Sequence, residues 1–254
     1  MIDRRKLLLG GAALALSGCK VFDSATDKDS TLRRLFASHE GLTQASQRAL
    51  IGDRLAPEFT ESDIRQGQRP NGSTDPASAA YRQMAETAFR DYRLTIAGQV
   101  DAPQTLSLAD LKTLPSRTQI TRHDCVEGWS CIAKWQGVPL GTVLQLAKPR
   151  LTARYAIFHC FDAIERNLSG EVFYYESIDL IDAYHPQTIL AYAMNNAPLP
   201  IANGAPLRLR VERQLGYKMA KYVHTIELTD SLTNLGQGKG SYWADRGYEW
   251  YAGI

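Results

Sequence analysis

The sequence predicts an α+β fold with mixed sheets and flanking helices. A chain of 254 residues, with 44% hydrophobic and 22% charged residues, can bury a substantial core in one large domain or two small ones. Predicted strands and helices follow one another irregularly, whereas a regular parallel sheet would show strict alternation. We therefore expect a mixed α+β body rather than a regular parallel sheet.

Residues 1–18 are typical of an export signal. A basic start precedes an apolar run at residues 7–16, which is shorter than the roughly 20 residues that a transmembrane helix needs. Arg4 and Arg5 resemble a twin-arginine signal, and residues 16–19 resemble a bacterial lipobox that would lipidate Cys19. We expect twin-arginine export, a periplasmic location and membrane contact only through a lipid on Cys19; an uncleaved anchor is the alternative. The twin-arginine route carries folded proteins, which favours a cofactor inserted before export.

The mature chain has three predicted parts. Residues 19–56 form a polar lipid tether and an N-terminal helical segment, residues 57–230 form the body, and residues 231–254 form an aromatic C-terminal tail. The formal charge of +2 comes from the export signal, where Arg4, Arg5 and Lys6 outnumber Asp3 by two. The remaining charges balance, so nothing indicates nucleic acid as a partner.

Local signals predict the individual elements. Helical spacing of apolar residues, capping residues and prolines mark helices, and alternation of apolar and polar residues marks strands. The predicted helices cover residues 31–51, 76–92, 107–114, 138–147 and 185–195. The predicted strands cover residues 92–100, 118–125, 153–162, 206–213 and 221–230.

Some of these predictions concern particular side chains. Asp75 is the predicted N-cap of the helix at 76–92, and Ser107 is the predicted N-cap of the helix at 107–114. His123 and Cys125 are two residues apart on one predicted strand, so they should share a face. The strand at 206–213 should direct apolar residues to one side and charged residues to the other, which separates Leu207, Leu209 and Val211 from Arg208, Arg210 and Glu212.

The run HDCVEGWSCIAKWQGVPL, residues 123–140, holds two of the four cysteines and two of the four tryptophans. Its three interpretations are a buried turn, a Cys125–Cys131 disulfide and a metal thiolate in a shaped pocket. Lipidation of Cys19 would leave Cys125, Cys131 and Cys160, an odd number that leaves at least one thiol free or ligating unless chains pair. The glycines at 236, 238 and 240 lie too near the C-terminus for a dinucleotide-binding loop, and no serine-hydrolase, zinc-protease, Walker or covalent-haem motif is present.

Two segments, HDCVEGWSCIAKWQGVPLGTVL and NGAPLRLRVERQLGYKMAKYVHTIEL, resemble the sulfite-oxidase-like molybdopterin oxidoreductases. The resemblance is to compact bacterial periplasmic members, among them methionine-sulfoxide reductases, and covers residues 91–229 with a looser match at 57–76. It implies a sulfite-oxidase-like molybdopterin-binding domain with one molybdenum–molybdopterin per chain. It also implies that Cys125 is the protein's metal ligand, which suits the preference of molybdenum for soft sulfur.

The resemblance further implies which residues contact the cofactor. Arg208 would bind the pterin phosphate. Cys160 stands where the methionine-sulfoxide reductases have a threonine, which would change the local hydrogen bonding. This difference weakens the inference that the chain has the same substrate as those reductases. His123 would reach the metal pocket or be structural, and Trp129 and Trp135 would wall and support the loop of Cys125. The implied cofactor contacts are Asn71, Cys125, Cys160, Asn203, Arg208, Met219, Ala220 and Lys221.

The function that this resemblance implies is two-electron oxygen-atom transfer on a small molecule. S-oxide reduction with electrons from a membrane haem b or quinol-linked subunit is the leading expectation. A sulfite dehydrogenase that passes electrons to a periplasmic cytochrome is the alternative, and it would need a cationic pocket from residues such as Arg122 or Arg210. A non-enzymatic lipoprotein that carries zinc or copper is the alternative of another class. Because only about 25 residues follow the last predicted strand, too few for the dimerisation domain of larger sulfite oxidases, we expect a monomer.

Overall fold

The computed structural model describes residues 31–168 and 170–254, so the predicted export signal and the lipid tether lie outside the described residues. The chain divides into two units, Met1–Gly52 and Asp53–Ile254. In the first unit, helix α1 covers Thr31–Ile51, as predicted. The second unit holds the predicted body and the aromatic tail. None of the described helices combines the length and apolarity needed to cross a membrane.

The second unit contains short helices and strands whose bounds are as follows. The helices are α2 (Ala79–Glu86), α3 (Leu108–Thr113), α4 (Leu140–Leu146) and α5 (Leu180–Ala183). The strands are β1 (Arg93–Gly98), β2 (Gln104–Ser107), β3 (Arg117–Asp124), β4 (Ser130–Pro139), β5 (Tyr155–Asn167), β6 (Gly170–Asp179), β7 (Ile189–Met194), β8 (Ala197–Pro198), β9 (Arg208–Arg210) and β10 (Val223–Thr229).

These strands form two sheets. The first has the order β2-β1-β10-β5-β6, in which β1 and β10 are parallel and the other neighbours antiparallel. The second has the order β3-β4-β7-β8, with β9 also paired to β7, and all its pairs are antiparallel. Mixed sheets with short flanking helices confirm the predicted α+β class.

One hydrophobic cluster spans both sheets. Leu94, Phe158 and Ile226 from the first sheet and Leu190 and Leu209 from the second belong to it, and each is fully buried. Complete burial of such a side chain contributes roughly 1.5–3 kcal/mol. The cluster therefore fixes β9 firmly, and the opposite face of β9 carries the arginines.

The helix caps were predicted correctly in one case and wrongly in another. Ser107 caps α3, because its Oγ accepts a hydrogen bond from the Asp110 backbone at 3.0 Å while Asp110 accepts one from the Ser107 backbone at 2.8 Å. The N-cap of α2 is Ser78, whose Oγ accepts from the Tyr81 backbone at 3.2 Å, and not Asp75. This helix ends at Glu86 rather than near residue 92, since the chain turns through positive φ soon after it.

The helix predicted at 185–195 is wrong, because this segment contains the strand β7. β7 lies inside the second sheet, between β4 on one side and β8 and β9 on the other, and five of its six residues are buried. A strand buried on both faces loses the alternation that identifies strands, so its apolar run also fits a helix. Sheet pairing decided what the local pattern left ambiguous.

Two predictions about strands need smaller corrections. β3 ends at Asp124, so Cys125 lies in the following turn and not on the strand with His123. Only Arg208–Arg210 of the predicted 206–213 strand pairs with a neighbour. Its side-chain alternation is nevertheless as predicted, since Leu207, Leu209 and Val211 belong to the hydrophobic cluster and the charged residues do not.

The C-terminal tail packs on the body of the second unit. The Tyr242 backbone N–H donates to Tyr175 O at 3.0 Å, and the Leu215 N–H donates to Ala252 O at 2.9 Å. Asp245 accepts from the backbone N–H groups of Gln237 at 2.7 Å and Lys239 at 3.1 Å, which holds the glycine-rich loop against the tail.

Candidate functional site

A cavity of about 300 Å³ opens beside Cys125. It brings together four of the predicted site residues, Asn71, Cys125, Met219 and Lys221, which lie far apart in the sequence. This volume falls at the lower end of the range of about 300–1,000 Å³ that ligand pockets occupy. The other lining residues are Gly72, Ser73, Val126, Glu127, Asp162, Ala163, Ile164, Tyr174, Tyr217, Trp243 and Tyr248.

Cys125 is held by a tight turn between β3 and β4. Its N–H donates to Trp129 O at 2.9 Å, and its carbonyl accepts from the Gly128 N–H at 3.0 Å. Gly128 has φ +83, a conformation that glycine adopts without strain. Cys125, Cys131 and Cys160 are free thiols, so the Cys125–Cys131 disulfide alternative is wrong. The turn directs one half-buried thiol to the cavity.

The surroundings of Cys125 act on its thiol in opposite directions. Burial raises the pKa of the Cys125 thiol, and the charge of Glu127 adds to this effect, while a backbone hydrogen bond and the charges of Arg69 and Arg208 lower it. A bound cation would supply the missing stabilisation of the thiolate, because metal ligation requires the deprotonated sulfur.

Arg208 is fully buried, yet no carboxylate of the described residues is hydrogen-bonded to it. It donates from Nη2 to Asn71 Oδ1 at 3.0 Å and from Nη1 to Asn203 O at 3.1 Å, and its Nε has no hydrogen-bond partner. Burial, followed by the charge of Arg210, lowers the pKa of Arg208 to about 9, so the guanidinium stays charged at neutral pH. A buried, uncompensated guanidinium is suited to an anionic ligand.

Lys221 and Asn203 add a further cation and a further amide donor next to Arg208. Lys221 Nζ donates to Ala202 O at 3.0 Å and also to Ser73 O. Burial and the charge of Arg208 lower the pKa of Lys221 to about 7. Asn203 Nδ2 is buried without a hydrogen-bond partner. Gly204 has φ +114, and a Cβ there would lie 2.9 Å from Lys221 Cγ, so glycine lets these residues approach one another.

Arg210 differs from Arg208 because its charge is neutralised. Its Nη2 and Nε donate to the two carboxylate oxygens of Glu212 at 2.6 and 2.9 Å, and Gln119 donates to the same carboxylate at 2.8 Å. Both partners of the ion pair are fully buried. Trp135 lies under both arginines, with its ring centre 4.4 Å from Arg210 Cζ and 5.2 Å from Arg208 Cζ. Trp135 therefore supports the arginines rather than the loop of Cys125.

His123 lies behind the cavity wall, against Met219. Its Nδ1 is 3.3 Å from Met219 Sδ and 3.0 Å from Arg210 Nη1, which donates to it. Burial and the charges of Arg208, Arg210 and Lys221 hold the pKa of His123 well below its usual range, so the imidazole is neutral. A Cβ on Gly216 would lie 2.3 Å from His123 Cε1, so glycine is needed where this ring meets the backbone. The contacts of Nδ1 fit the structural interpretation of His123, while its Nε2 is buried without a hydrogen-bond partner among the described residues.

Some predicted residues lie away from the cavity. Cys160 is buried and lines a separate cavity of about 330 Å³ with His159 and His224. Ala220 packs in the hydrophobic cluster, and its carbonyl accepts from the Leu209 N–H at 2.8 Å. Trp129 stays beside the Cys125 loop as predicted, with its ring centre 5.5 Å from that of His123.

Sequence reasoning missed several residues that line the cavity. Ser73 and Asp162 contribute polar groups, and Tyr217, Trp243 and Tyr248 form what we call the aromatic rim. The ring centres of Trp243 and Tyr248 lie 5.1 Å apart in a tilted arrangement, and those of Tyr217 and Tyr248 lie 5.3 Å apart edge to face. The density of aromatic residues in the tail was visible in the sequence, but their position at the cavity depends on how the tail folds back.

The donor set fits a molybdopterin. Asn203 Nδ2 and Arg208 Nε are buried donors that lack acceptors among the described residues, and a phosphate or a ring carbonyl would supply them. Neither residue lines the cavity, but Arg208 donates to Asn71, which does. In residues 41–168 and 170–254, no group of three or more His, Cys, Asp or Glu side chains could hold a metal ion. A metal already held by a dithiolene needs only one protein thiolate, and Cys125 can provide it.

Known proteins that resemble this chain indicate its family. Residues 81–234 match the oxidoreductase molybdopterin binding domain. YedZ1 from Azospira oryzae, provisionally named as a protein-methionine-sulfoxide reductase subunit, is 36% identical over 252 residues, 98% of this chain and 86% of that protein. MsrP from Xanthomonas campestris pv. campestris, named as a protein-methionine-sulfoxide reductase catalytic subunit, is 31% identical over 245 residues, 91% of this chain and 71% of that protein.

Among solved structures, the sulfane dehydrogenase SoxCD from Paracoccus pantotrophus aligns with a TM-score of 0.48 and 22% identity, over 56% of this chain and 39% of that chain. The family match covers more than half of the present chain, and the relatives span nearly all of it. The chain therefore belongs to the oxidoreductase molybdopterin binding domain family and is a molybdenum-dependent oxidoreductase.

Proposed function

We propose that this enzyme transfers an oxygen atom and two electrons at sulfur, in the direction of S-oxide reduction. The overall reaction consumes an S-oxide, two electrons and two protons and yields a thioether and water. Relatives named as protein-methionine-sulfoxide reductases support a methionine sulfoxide as the substrate. A membrane haem b or quinol-linked subunit would supply the electrons. The predicted export signal supports a lipid-anchored protein at the periplasmic face, and the family resemblance supports one cofactor per chain.

The observation that carries this direction is the charge around the cavity. A sulfite dehydrogenase must attract an anion, but both arginines considered for that role are neutralised by carboxylates. Arg122 Nε lies 2.9 Å from an oxygen of Asp124 on the exposed face of β3, and Arg210 is closed by Glu212. Two carboxylates, Glu127 and Asp162, line the cavity itself against the single cation Lys221. The pterin phosphate would occupy Arg208, so the charges left for a substrate at the cavity disfavour sulfite.

The aromatic rim favours a neutral thioether S-oxide. Trp243, Tyr248 and Tyr217 surround the side of the cavity that the tail covers, next to the apolar Ile164. The methyl and methylene groups of such a substrate are apolar and bury their surface favourably against aromatic rings. The rim would therefore bind the apolar part of a methionine sulfoxide side chain and exclude water from it.

Each group of residues has a separate role in this proposal. When bound, the molybdenum cofactor supplies the oxygen-atom transfer chemistry and stores the two electrons. Cys125 would hold the metal through its thiolate. Asn71, Asn203, Arg208 and Lys221 would hold the pterin and its phosphate, with Met219 against the ring of His123. The rim would orient the substrate, which lowers the entropic part of the barrier.

The test is a substrate panel on protein exported from a molybdate-fed host. Reduced dye should be oxidised in the presence of methionine sulfoxide, free or in a peptide, and sulfite should not reduce an artificial acceptor. Sulfite-dependent reduction without S-oxide turnover would instead establish the dehydrogenase alternative. Zinc or copper without pterin, detected by inductively coupled plasma mass spectrometry, would establish the metal-carrying lipoprotein.

A matched pair of thiol variants tests the ligand. Cys125→Ser should abolish turnover and lower the molybdenum content, because a neutral hydroxyl replaces a thiolate ligand. Cys131→Ser is the control, since Cys131 belongs to the same motif but is buried on β4 outside the cavity lining. Equal molybdenum content in the two variants would contradict the assignment of Cys125.

A further inference from the structure

The two tail members of the aromatic rim lie at the ends of one short turn. The Tyr248 N–H donates to Trp243 O at 3.0 Å, and the residues between them form a 3-10 turn at Ala244–Arg246. Trp243 and Tyr248 line the cavity, whereas Asp245 does not and is 1% exposed. One buried carboxylate therefore lies at the centre of the turn that carries two rim rings.

Asp245 anchors this turn through three neutral donors. Its Oδ2 accepts from the Gln237 N–H at 2.7 Å, and its Oδ1 accepts from the Lys239 N–H at 3.1 Å. The Tyr175 hydroxyl also donates to Oδ2. The two N–H groups belong to the glycine-rich loop, whereas Tyr175 belongs to β6 in the first sheet. Of these three bonds, the one from Tyr175 ties the turn to the sheet.

The surroundings of Tyr175 keep its hydroxyl a donor. Burial raises the pKa of Tyr175, and the hydrogen bond to Asp245 and the charge of Asp245 raise it further, while Arg246 acts in the opposite direction. Arg246 is itself paired with Glu165 on β5. The phenol is therefore protonated at neutral pH and donates to the Asp245 carboxylate.

The third rim member is held by the preceding residue of the same strand. The Tyr174 hydroxyl donates to Tyr217 O at 2.5 Å. The Tyr242 N–H, next to the turn, donates to Tyr175 O at 3.0 Å. Two successive tyrosines of β6 therefore fix the two separate segments that supply the rim, and neither tyrosine belongs to the two motifs.

The placement of the rim rings matters because apolar contact depends steeply on distance. A gap of about 0.5–1 Å forfeits a quarter to a half of the dispersion attraction between two groups. A substrate with a long apolar side chain gains more from such contacts than a small one does. Displacement of the rim would therefore reduce the preference between the two substrates.

We infer that Tyr175 and Asp245 are positioning residues that hold the aromatic rim against the substrate, and that their bond sets the preference for a methionine sulfoxide side chain over a small S-oxide. Neither residue lines the cavity or takes part in a bond-making step. The inference rests on the proposed S-oxide reduction and concerns only its specificity.

The test compares two S-oxides on one sample of the loaded enzyme. A methionine-sulfoxide peptide would reach the rim with its apolar side chain, whereas dimethyl sulfoxide offers only two methyl groups. Tyr175→Phe removes one hydroxyl and should lower kcat/KM for the peptide roughly two- to fivefold, through KM, with less than about a twofold change for dimethyl sulfoxide. A loss of folded or cofactor-loaded protein lowers both values equally, so their ratio reports the rim.

Asp245→Asn should have the larger effect, up to about tenfold on the ratio, because its amide nitrogen cannot accept from the donors that the lost oxygen served. The double variant should change the ratio by less than the product of the two single effects, since both remove the same bond. Tyr192→Phe is the matched control, because Tyr192 is a buried tyrosine of β7 outside the cavity lining. It should leave the ratio unchanged.

Hydrogen exchange gives a second readout that does not depend on turnover. In Tyr175→Phe the amides of Gly247 and Tyr248, which close the turn, should exchange several-fold faster, while those of β10 should keep the wild-type rate. Tyr175→Phe is the more conservative variant and carries the test if Asp245→Asn does not fold.

Three outcomes would contradict the inference or its basis. An unchanged ratio in Tyr175→Phe, with faster exchange at the turn, would show that the bond holds the tail without acting on the substrate. An equal loss for both S-oxides would assign the pair to folding or cofactor loading. Wild-type protein that contains pterin but reduces neither S-oxide would contradict the proposed function itself, and this result is visible before any variant is made.

Discussion

Two kinds of buried cation lie within a few residues of each other and behave differently. The closed pairs, Arg210–Glu212 and Lys218–Glu176, are ion pairs whose side chains are almost completely buried. The open cluster, Arg208 and Lys221, directs its donors at an amide and at carbonyl groups, with no carboxylate hydrogen-bonded to it. A closed pair is satisfied within the protein, whereas an open cluster is completed only by an anion from outside. Burial alone therefore does not identify a site; the missing partner does.

The largest expected effect concerns a closed pair. Arg210→Met leaves Glu212 buried without its cation, and we expect the free energy of unfolding of the apo protein to fall by roughly 3–5 kcal/mol. Urea unfolding of protein made without pterin synthesis measures this value. A loss below about 1 kcal/mol would show that the Arg210–Glu212 pair does not stabilise the fold in this way.

The same substitution in the open cluster should weaken cofactor binding rather than lower the stability of the apo protein. Arg208→Met removes an uncompensated buried charge, so the unfolding free energy of the apo protein should stay within about 1 kcal/mol of wild type or rise. Pterin release should become roughly ten- to hundredfold faster, because charge-assisted bonds to the phosphate are lost. If Arg208→Met and Arg210→Met behave alike in both assays, the distinction between the two kinds of cation fails.

A pH series tests the lowered pKa of Lys221. Its pKa is lowered to about 7 in the folded chain by burial and by Arg208, against the opposing charges of Asp162 and Cys160, while the unfolded chain keeps the ordinary value near 10.5. Between these values the unfolded state binds more protons, so the stability of the apo protein should rise with pH from about 7 to about 10.5. The cost of burying the charged amine applies in full below about pH 7 and is absent above about pH 10.5.

The measurement for Lys221 is the melting temperature of the apo protein at about pH 7 and pH 9.5. Lys221→Met should reduce the upward slope, and the difference between the two proteins isolates Lys221 from Arg208 and other groups. Identical slopes would mean that Lys221 titrates outside this window. Bound pterin should flatten the wild-type slope, since an anion favours the protonated amine.

The smallest effect is expected at the aromatic rim, where no buried charge is involved. Trp243→Ala should raise KM for a methionine-sulfoxide peptide roughly two- to tenfold and change kcat by less than about twofold, as for loss of the apolar contact with one ring. Phe173→Ala, on β6 at the separate cavity, is the control and should leave KM unchanged. A fall in kcat without a change in KM would contradict a purely binding role for the rim.

Local chemistry made several features of this protein predictable. Ser107 caps α3 because Asp110 follows three residues later, and period-two alternation separated the apolar from the charged residues around β9. The two motifs also indicated the family and the single cysteine of the cavity. Other features depended on distant partners: the apolar run of β7 read equally well as a helix, and the tail residues gave no sign that they would reach the cavity.

The sequence by itself determined the family, because two separated motifs in the right order resemble it, and that resemblance implied the candidate cofactor residues. Only the tertiary structure decided that Arg210 meets Glu212 while Arg208 meets no carboxylate, and that Asp162 keeps one oxygen unsatisfied in the cavity. The physical reason is that charge compensation and desolvation depend on distances of a few ångströms between groups that lie tens of residues apart. Local spacing does not contain those distances.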